Sequence, residues 1–140
     1  MEAYLSLRQL MDATLRSECG LTMRQFEVLI RLWIAPGQQL RVGQLATQVY
    51  ASHAEMAQRV TELEHDGLVM RLANGHEQGH LIEMSPHGKR RFADAERVQS
   101  DTIRDHYTNL ITEPEARTLT RLNERVLEAA QATIAARPLT

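Results

Sequence analysis

Cysteine is nearly absent from this chain of 140 residues: Cys19 stands alone, so no internal disulfide can form. That scarcity, with a first segment MEAYLSLRQLMDATLRSEC whose charges are scattered, gives the expectation of a cytoplasmic protein without a secretory signal. Long apolar runs are missing too. None approaches the roughly 18 residues that span a bilayer, so no membrane partner is expected. Aromatic residues make up only 4% of the chain, yet the hydrophobic fraction is 43%, enough for a packed core and too much for a disordered tail. Neither sign of charge dominates, with a formal net charge of −2. A nucleic-acid binder is often basic, so any basic surface here must arise from local arrangement. No nucleophile stands with a base in any familiar pattern and no phosphate loop is present, so no catalytic residues, cofactor or enzymatic activity are expected.

What is present is periodicity. Tyr4, Leu7, Met11 and Leu15 recur at helical spacing, and Gly20 suits the C′ position that ends such a helix. Thr22 and Gln25 form a capping box for a second helix, with Met23, Phe26, Leu29, Ile30 and Trp33 as its expected buried stripe and Pro36-Gly37 as its stop. Residues 39–42 suit a short extended piece. VGQLATQVY reads as a brief helix with Leu45, Ala46 and Val49 inward. Ser52 suits an N-cap, and Met56, Val60 and Leu63 give the next helix, about 53–65, its core face. Beyond Gly67 the period changes to two. LVMRL and LIEMS alternate, with Asn74-Gly75 between them as a hairpin-turn signal. Pro86 opens a long helix expected to run to about Leu110, with Phe92, Ala95, Val98, Ile103 and Tyr107 near one face. Thr112 and Glu115 cap a last helix carrying Leu119, Leu122, Val126, Ala130 and Ile134, closed by Pro138. The expected class is mainly α with a small β-hairpin wing: a winged helix-turn-helix about 37–88, flanked by dimerisation helices about 3–19 and 100–136, in one domain spanning 1–140. The apolar stripes of the outer helices exceed what the small centre can cover, which suggests a two-fold dimer.

GLTMRQFEVLIRLW, then QLATQVYASHAEMAQRVTELEHDGLVMR, then LIEMSPHGKR, in that order and at those separations, resemble the MarR family of transcriptional regulators over about residues 3–135. The resemblance implies a homodimeric repressor that binds a palindromic operator in double-stranded DNA. The second helix of each motif enters a major groove and each wing touches the neighbouring minor groove. It also implies a small-molecule effector near the junction of head and dimer helices, an aromatic acid being family-typical. Tyr4, Arg8, Met11, Trp33, His106 and Tyr107 lie on the helices that should flank that cleft.

HEQGH at 76–80 satisfies the H-E-x-x-H pattern of zinc proteases. That pattern works on a helix, where i and i+4 share a face. Here it follows Asn-Gly, contains Gly79 and lies between two alternating segments, so no metal site is expected there. Against the family pattern, His76 stands where an aspartate is usual, and Gln78 where an arginine reaches the minor groove. Gln78 keeps hydrogen-bonding capacity and brings no charge.

The DNA-contacting residues expected are Gln44, Ser52, His53, Ala54, Glu55, Gln58, Arg59, Thr61, Arg71, His76 and Gln78. Gln58 suits adenine, Ala54 and Thr61 a thymine methyl, Glu55 a cytosine amine or a pairing with Arg59. Arg59 suits a phosphate or guanine, or else a salt bridge inside the head. Gln44 sits near a helix start that suits phosphate. The recognition helix is acidic for its task, with Glu55, Glu62, Glu64 and Asp66. Basic contributions must then come from Arg41, Arg71 and the run Lys89-Arg90-Arg91. The acidic helix and arginine-less wing leave open a second reading, a dimer of the same fold acting through a protein partner. Five of the six histidines fall between 53 and 87. They suit a scattered surface, a metal site using His80 and His87, or control by protonation. Cys19 suits a buried helix end better than an oxidant sensor.

Overall fold

A computed structural model describes residues 1–72 and 77–136. The chain forms two compact units, Met1–Asp101 and Thr102–Thr140. The elements are α1 (Glu2–Cys19), α2 (Met23–Ile34), β1 (Gln39–Arg41), α3 (Val42–Gln48), α4 (His53–His65), β2 (Val69–Arg71), β3 (Leu81–Met84), α5 (Pro86–His106) and α6 (Glu113–Ala136). Single 3-10 turns lie at Pro36–Gln38 and Thr108–Leu110. The architecture is mainly α with a small antiparallel sheet, as the periodicities imply.

Local chemistry sets most boundaries. Gly20 takes a left-handed φ of 63°, and its N–H and that of Leu21 return to Arg16 and Leu15, closing α1. Thr22 Oγ1 accepts from the Gln25 N–H at 3.1 Å while Gln25 Oε1 accepts from the Thr22 N–H at 2.9 Å, the expected reciprocal cap of α2. Ser85 Oγ accepts from the Gly88 N–H at 2.9 Å and donates to the Gly67 carbonyl, joining the start of α5 to the turn that ends α4.

The sheet is larger than a two-stranded wing. Its order is β1-β3-β2, all antiparallel, with Leu40 opposite Ile82 and Val69 opposite Met84. Gln39 Nε2 adds a bond to Glu83 across that pair at 2.9 Å. The extended piece at 39–41 is thus the third strand. The turn signal Asn74-Gly75, with His76, lies outside the described residues, as does Pro138.

The core of the first unit gathers Leu15, Leu21, Phe26, Val28, Leu29, Leu32, Leu45, Met56, Val60, Leu63, Ile82, Met84, Phe92 and Ala95. Burying such side chains supplies about 1.5–3 kcal/mol each and is the main force holding the head together. Two expectations need correction. The buried set of α2 is Phe26, Val28, Leu29 and Leu32, while Trp33 is 45% exposed and Met23 and Ile30 are partly buried. The reason is position: α2 touches α1, α3, β1 and β3, so it buries more than one stripe. Trp33 instead lays its ring against Phe92, with centroids 5.2 Å apart. The long helix ends at His106 rather than near Leu110. Tyr107 leaves helical geometry (φ −138°, ψ −64°), and Thr108 and Asn109, both modest helix formers, continue only as a 3-10 turn.

In the second unit α6 begins where expected, with the Thr112 N–H and hydroxyl both donating to Glu115 Oε2 at 2.8 Å. Its apolar residues Leu122, Val126, Leu127 and Ile134 are between 44% and 69% exposed.

Candidate nucleic-acid interface

Helix α4 is oriented by its buried stripe. Met56, Val60 and Leu63 are fully buried, so the helix has one rotational setting, and Ala54, Gln58 and Thr61 face outward. Its start is fixed as firmly. Ser52 Oγ accepts from the Glu55 N–H at 3.1 Å, and Glu55 Oε2 accepts from the Ser52 N–H at 2.8 Å. Hydrogen bonding to the carboxylate from Ser52, first from its backbone N–H and then from its side chain, holds the Glu55 carboxyl below its ordinary value. Glu55 is therefore a capping residue, a role its spacing from Ser52 already permitted.

The acidity of α4 is partly answered from within the protein. Glu62 accepts from Gln58 Nε2 at 3.3 Å, Glu64 pairs with Arg71 at 2.8 Å, and Asp66 accepts from Gln25 Nε2 at 3.0 Å. Of the three, Glu64 has its charge offset by a cation, whereas the amide donors leave the charges of Glu62 and Asp66 in place. The Gln58 bond is exposed and long, so its amide can be turned toward another partner.

Beside α4 stands the root of the wing, tied to α3 through main-chain atoms. The Gly43 N–H donates to the Gln78 carbonyl at 2.8 Å and the Val42 N–H to the His80 carbonyl at 3.1 Å. Arg41 Nη1 donates to the Gly79 carbonyl at 3.1 Å. A Cβ on Gly43 would lie 3.1–3.2 Å from the backbone and Cβ of Gln78, so any larger residue here would push the wing root back by a few tenths of an ångström. Gly79, at φ +84°, lies against the His53 ring and Val42. These contacts bring His53, Gln78 and the start of α3 together, a juxtaposition invisible to spacing alone. Residues 77–80 are turn and irregular chain, not helix, so the i, i+4 facing of a zinc-protease helix is absent there. Among the described residues no three His, Cys, Asp or Glu side chains gather as a metal site needs.

Other expected residues fall into place one by one. Gln44 is exposed, with its Oε1 accepting from the Arg41 N–H at 2.8 Å. The Thr61 hydroxyl accepts from Arg71 Nη2 at 2.8 Å and donates to the Ala57 carbonyl at 3.0 Å, which leaves only its methyl uncommitted. His76 lies outside the described residues. Of the basic run, Lys89 and Arg90 are exposed, whereas Arg91 turns back onto the Cys19 carbonyl at the end of α1.

Arg59 lines an open cleft of about 870 Å³ between α1, α2 and the outer face of α4, with Arg8, Arg16, Arg24, Gln58 and Glu62 on its walls. Arg8 holds Glu27 at 2.6 Å and Arg16 holds Asp12 at 2.6 Å. Asp12 also accepts from the Met23 N–H at 2.7 Å, and this bond, with Arg16, keeps its carboxyl ionised below the usual range. Of the residues expected beside a ligand cleft, Arg8 lines this one; Arg59 was expected at DNA, and Arg16 and Arg24 carried no expectation. Tyr4, Met11 and Trp33 of the same unit are not among its walls.

A helix-turn-helix whose second helix is capped, rotationally fixed and flanked by a sheet wing is a winged helix-turn-helix head. Residues 21–75, the segment that carries the motif, match the model of the MarR family. The described chain has that family's fold as well. AbsC, a MarR family transcriptional regulator from Streptomyces coelicolor, matches with a TM-score of 0.85 at 22% identity, over 94% of this chain and 88% of that one. Sco3205 from the same organism, solved in complex with DNA, matches at 0.84 and 21% over 92% and 84%. A cysteine-to-serine mutant of MarR from E. coli, complexed with operator DNA, matches at 0.73 and 21% over 89% and 90%. No curated protein matches in sequence.

Proposed function

We propose that the chain is a sequence-specific, DNA-binding transcription regulator, a cytoplasmic homodimer that represses by occupying a palindromic operator, and not an enzyme. The observation that carries this reading is α4, whose buried stripe turns Ala54 and Gln58 outward beside a wing root anchored to α3. Ser52, His53, Ala54 and Gln58 meet base edges, Gln44 and the amides starting α3 meet phosphate, and the wing segment with Gln78 meets the adjacent minor groove. Two similar structures were solved with DNA, which supports a DNA partner for the same fold. The exposed apolar residues of α6 support a second copy as the partner of that helix.

Regulation follows from the cleft beside α4. Its guanidinium groups suit a carboxylate, so the effector is an organic acid, aromatic acids being the first to try. An anion seated on Arg24 and Arg59 competes for the recognition helix itself and shifts its DNA affinity.

Selection of duplexes from a random pool, in chelator, followed by binding of the winner against salt, tests the reading. A palindromic site with half-sites about one helical turn apart and a steep salt slope is expected. No enrichment at any salt favours the second reading, a partner protein on the same surface, which Gln78 in the place of an arginine motivates.

A further inference from the structure

Arg71 ends β2, and Thr61 and Glu64 stand one turn apart on α4. The guanidinium bridges both: Nε donates to Glu64 Oε2 at 2.8 Å and Nη2 donates to Thr61 Oγ1 at 2.8 Å. The Thr61 hydroxyl proton is directed to the Ala57 carbonyl, so its oxygen lone pair is left for Arg71. Glu64 is the only carboxylate paired to that guanidinium among the described residues, and the arginine side chain is 27% exposed. A planar fork with two acceptors in fixed directions defines an angle between the pieces it joins, which a single ammonium does not. Arg71 also pairs through its backbone register with Ile82 of β3, and the chain leading into β3 is tied to α3 by the Gln78 and His80 carbonyls. The wing is therefore fastened to Arg41 and the start of α3 through the carbonyls of residues 78–80, and to α4 through the Arg71 side chain.

We infer that Arg71 is a positioning residue of the DNA interface: its fork, held by Thr61 and Glu64, sets the angle between recognition helix and wing, and its charge neutralises Glu64 rather than a phosphate. The inference rests on the DNA-binding reading above and assigns Arg71 and Thr61 to holding the reading surface together rather than to reading.

The test uses the full chain and the duplex that the wild-type protein selects from a random pool. Binding is measured against salt for the wild type, Arg71→Lys, Arg71→Gln, Thr61→Val and the double variant Thr61→Val/Arg71→Lys. Concentrations are those of active, folded protein, determined by stoichiometric titration. A strut predicts that lysine does not rescue. Arg71→Lys loses about tenfold in affinity with the salt slope unchanged, and adding Thr61→Val costs little more, because the two residues form one unit. It also predicts that base preference relaxes at the outer positions beneath the wing while the positions beneath α4 keep theirs. A phosphate contact predicts the reverse: wild-type affinity for Arg71→Lys, and a slope shallower by about 1 for Arg71→Gln. That pattern overturns the inference and leaves the regulator reading intact. Unchanged affinity and base preference per folded molecule, with only the unfolding midpoint lowered, overturns it also. A wild-type protein that selects no DNA removes the regulator reading and the inference together.

Discussion

A β-carbon on Gly88 would lie 1.9 Å from the carbonyl oxygen of Leu68. No side-chain motion can relieve that, because both partners are backbone. The third residue of α5 is pressed onto the chain entering β2, and the Ser85 hydroxyl beside it bridges the Gly88 N–H and the Gly67 carbonyl. Gly88→Ala should therefore destabilise the first unit by at least the upper end of the roughly 1–3 kcal/mol usual for overpacking. Urea unfolding followed by circular dichroism checks it. A midpoint within error of wild type would show that α5 can lift from Leu68 at no cost.

Gln58→Ala should weaken binding to the selected operator by about 1–3 kcal/mol and flatten the preference for adenine at one position of each half-site, with the salt slope unchanged. Substituting each base of the site in turn and measuring affinity for both proteins reads this directly. An equal loss on every sequence would mean that Gln58 contacts backbone instead. Its neighbour Glu62 accepts the Gln58 amide in the free protein, so Glu62→Ala should tighten binding modestly, by removing a competitor and a charge together.

The cap of α4 carries a pH dependence of known sign. Hydrogen bonds from Ser52 lower the Glu55 carboxyl below its ordinary 4.5, so the ionised form is favoured by folding. The contribution is present above that ordinary value and is lost as pH falls through the folded one. Glu55→Gln should thus lower the urea midpoint at neutral pH, and the gap to wild type should narrow as the solution is acidified below 4.5. Glu115, lowered in the same way by Thr112, should behave alike in the second unit. A gap that stays constant with pH would assign the effect to side-chain packing rather than to charge.

Cys19 is 8% exposed, and burial pushes its thiol up from the ordinary value. Little thiolate forms at neutral pH, so alkylation of the native protein should be slow and should accelerate sharply in urea. Peroxide should leave DNA affinity unchanged. Rapid native labelling would contradict both.

Legibility in the sequence followed the physics of each element. Caps and stripes are local: Thr22 with Gln25, Ser52 as N-cap, and Met56 with Val60 and Leu63 all appear in the fold as their spacing implies. Trp33 was misread because a periodic stripe shows that a helix is amphipathic, not how many neighbours surround it. The pairing of 39–41 with β3 joins residues about forty positions apart, and no local pattern encodes that. The same holds for the site. The outward face of α4 was readable from its inward one, whereas the commitments of Glu55, Thr61 and Arg71 to partners in the protein, and the approach of Arg59 to α1 and α2, depend on tertiary placement.

The wing root is joined to the start of α3 through the carbonyls of Gln78, Gly79 and His80. Backbone is common to every residue, so these three bonds ask nothing of the side chains they pass. An exchange of side chain at 78 or 80 leaves these bonds available, so the wing can change what it presents and keep its anchor to α3. The glycine at 43 is the opposite case: a β-carbon there would press on Gln78 at 3.1–3.2 Å, so a change at 43 asks the anchor itself to shift.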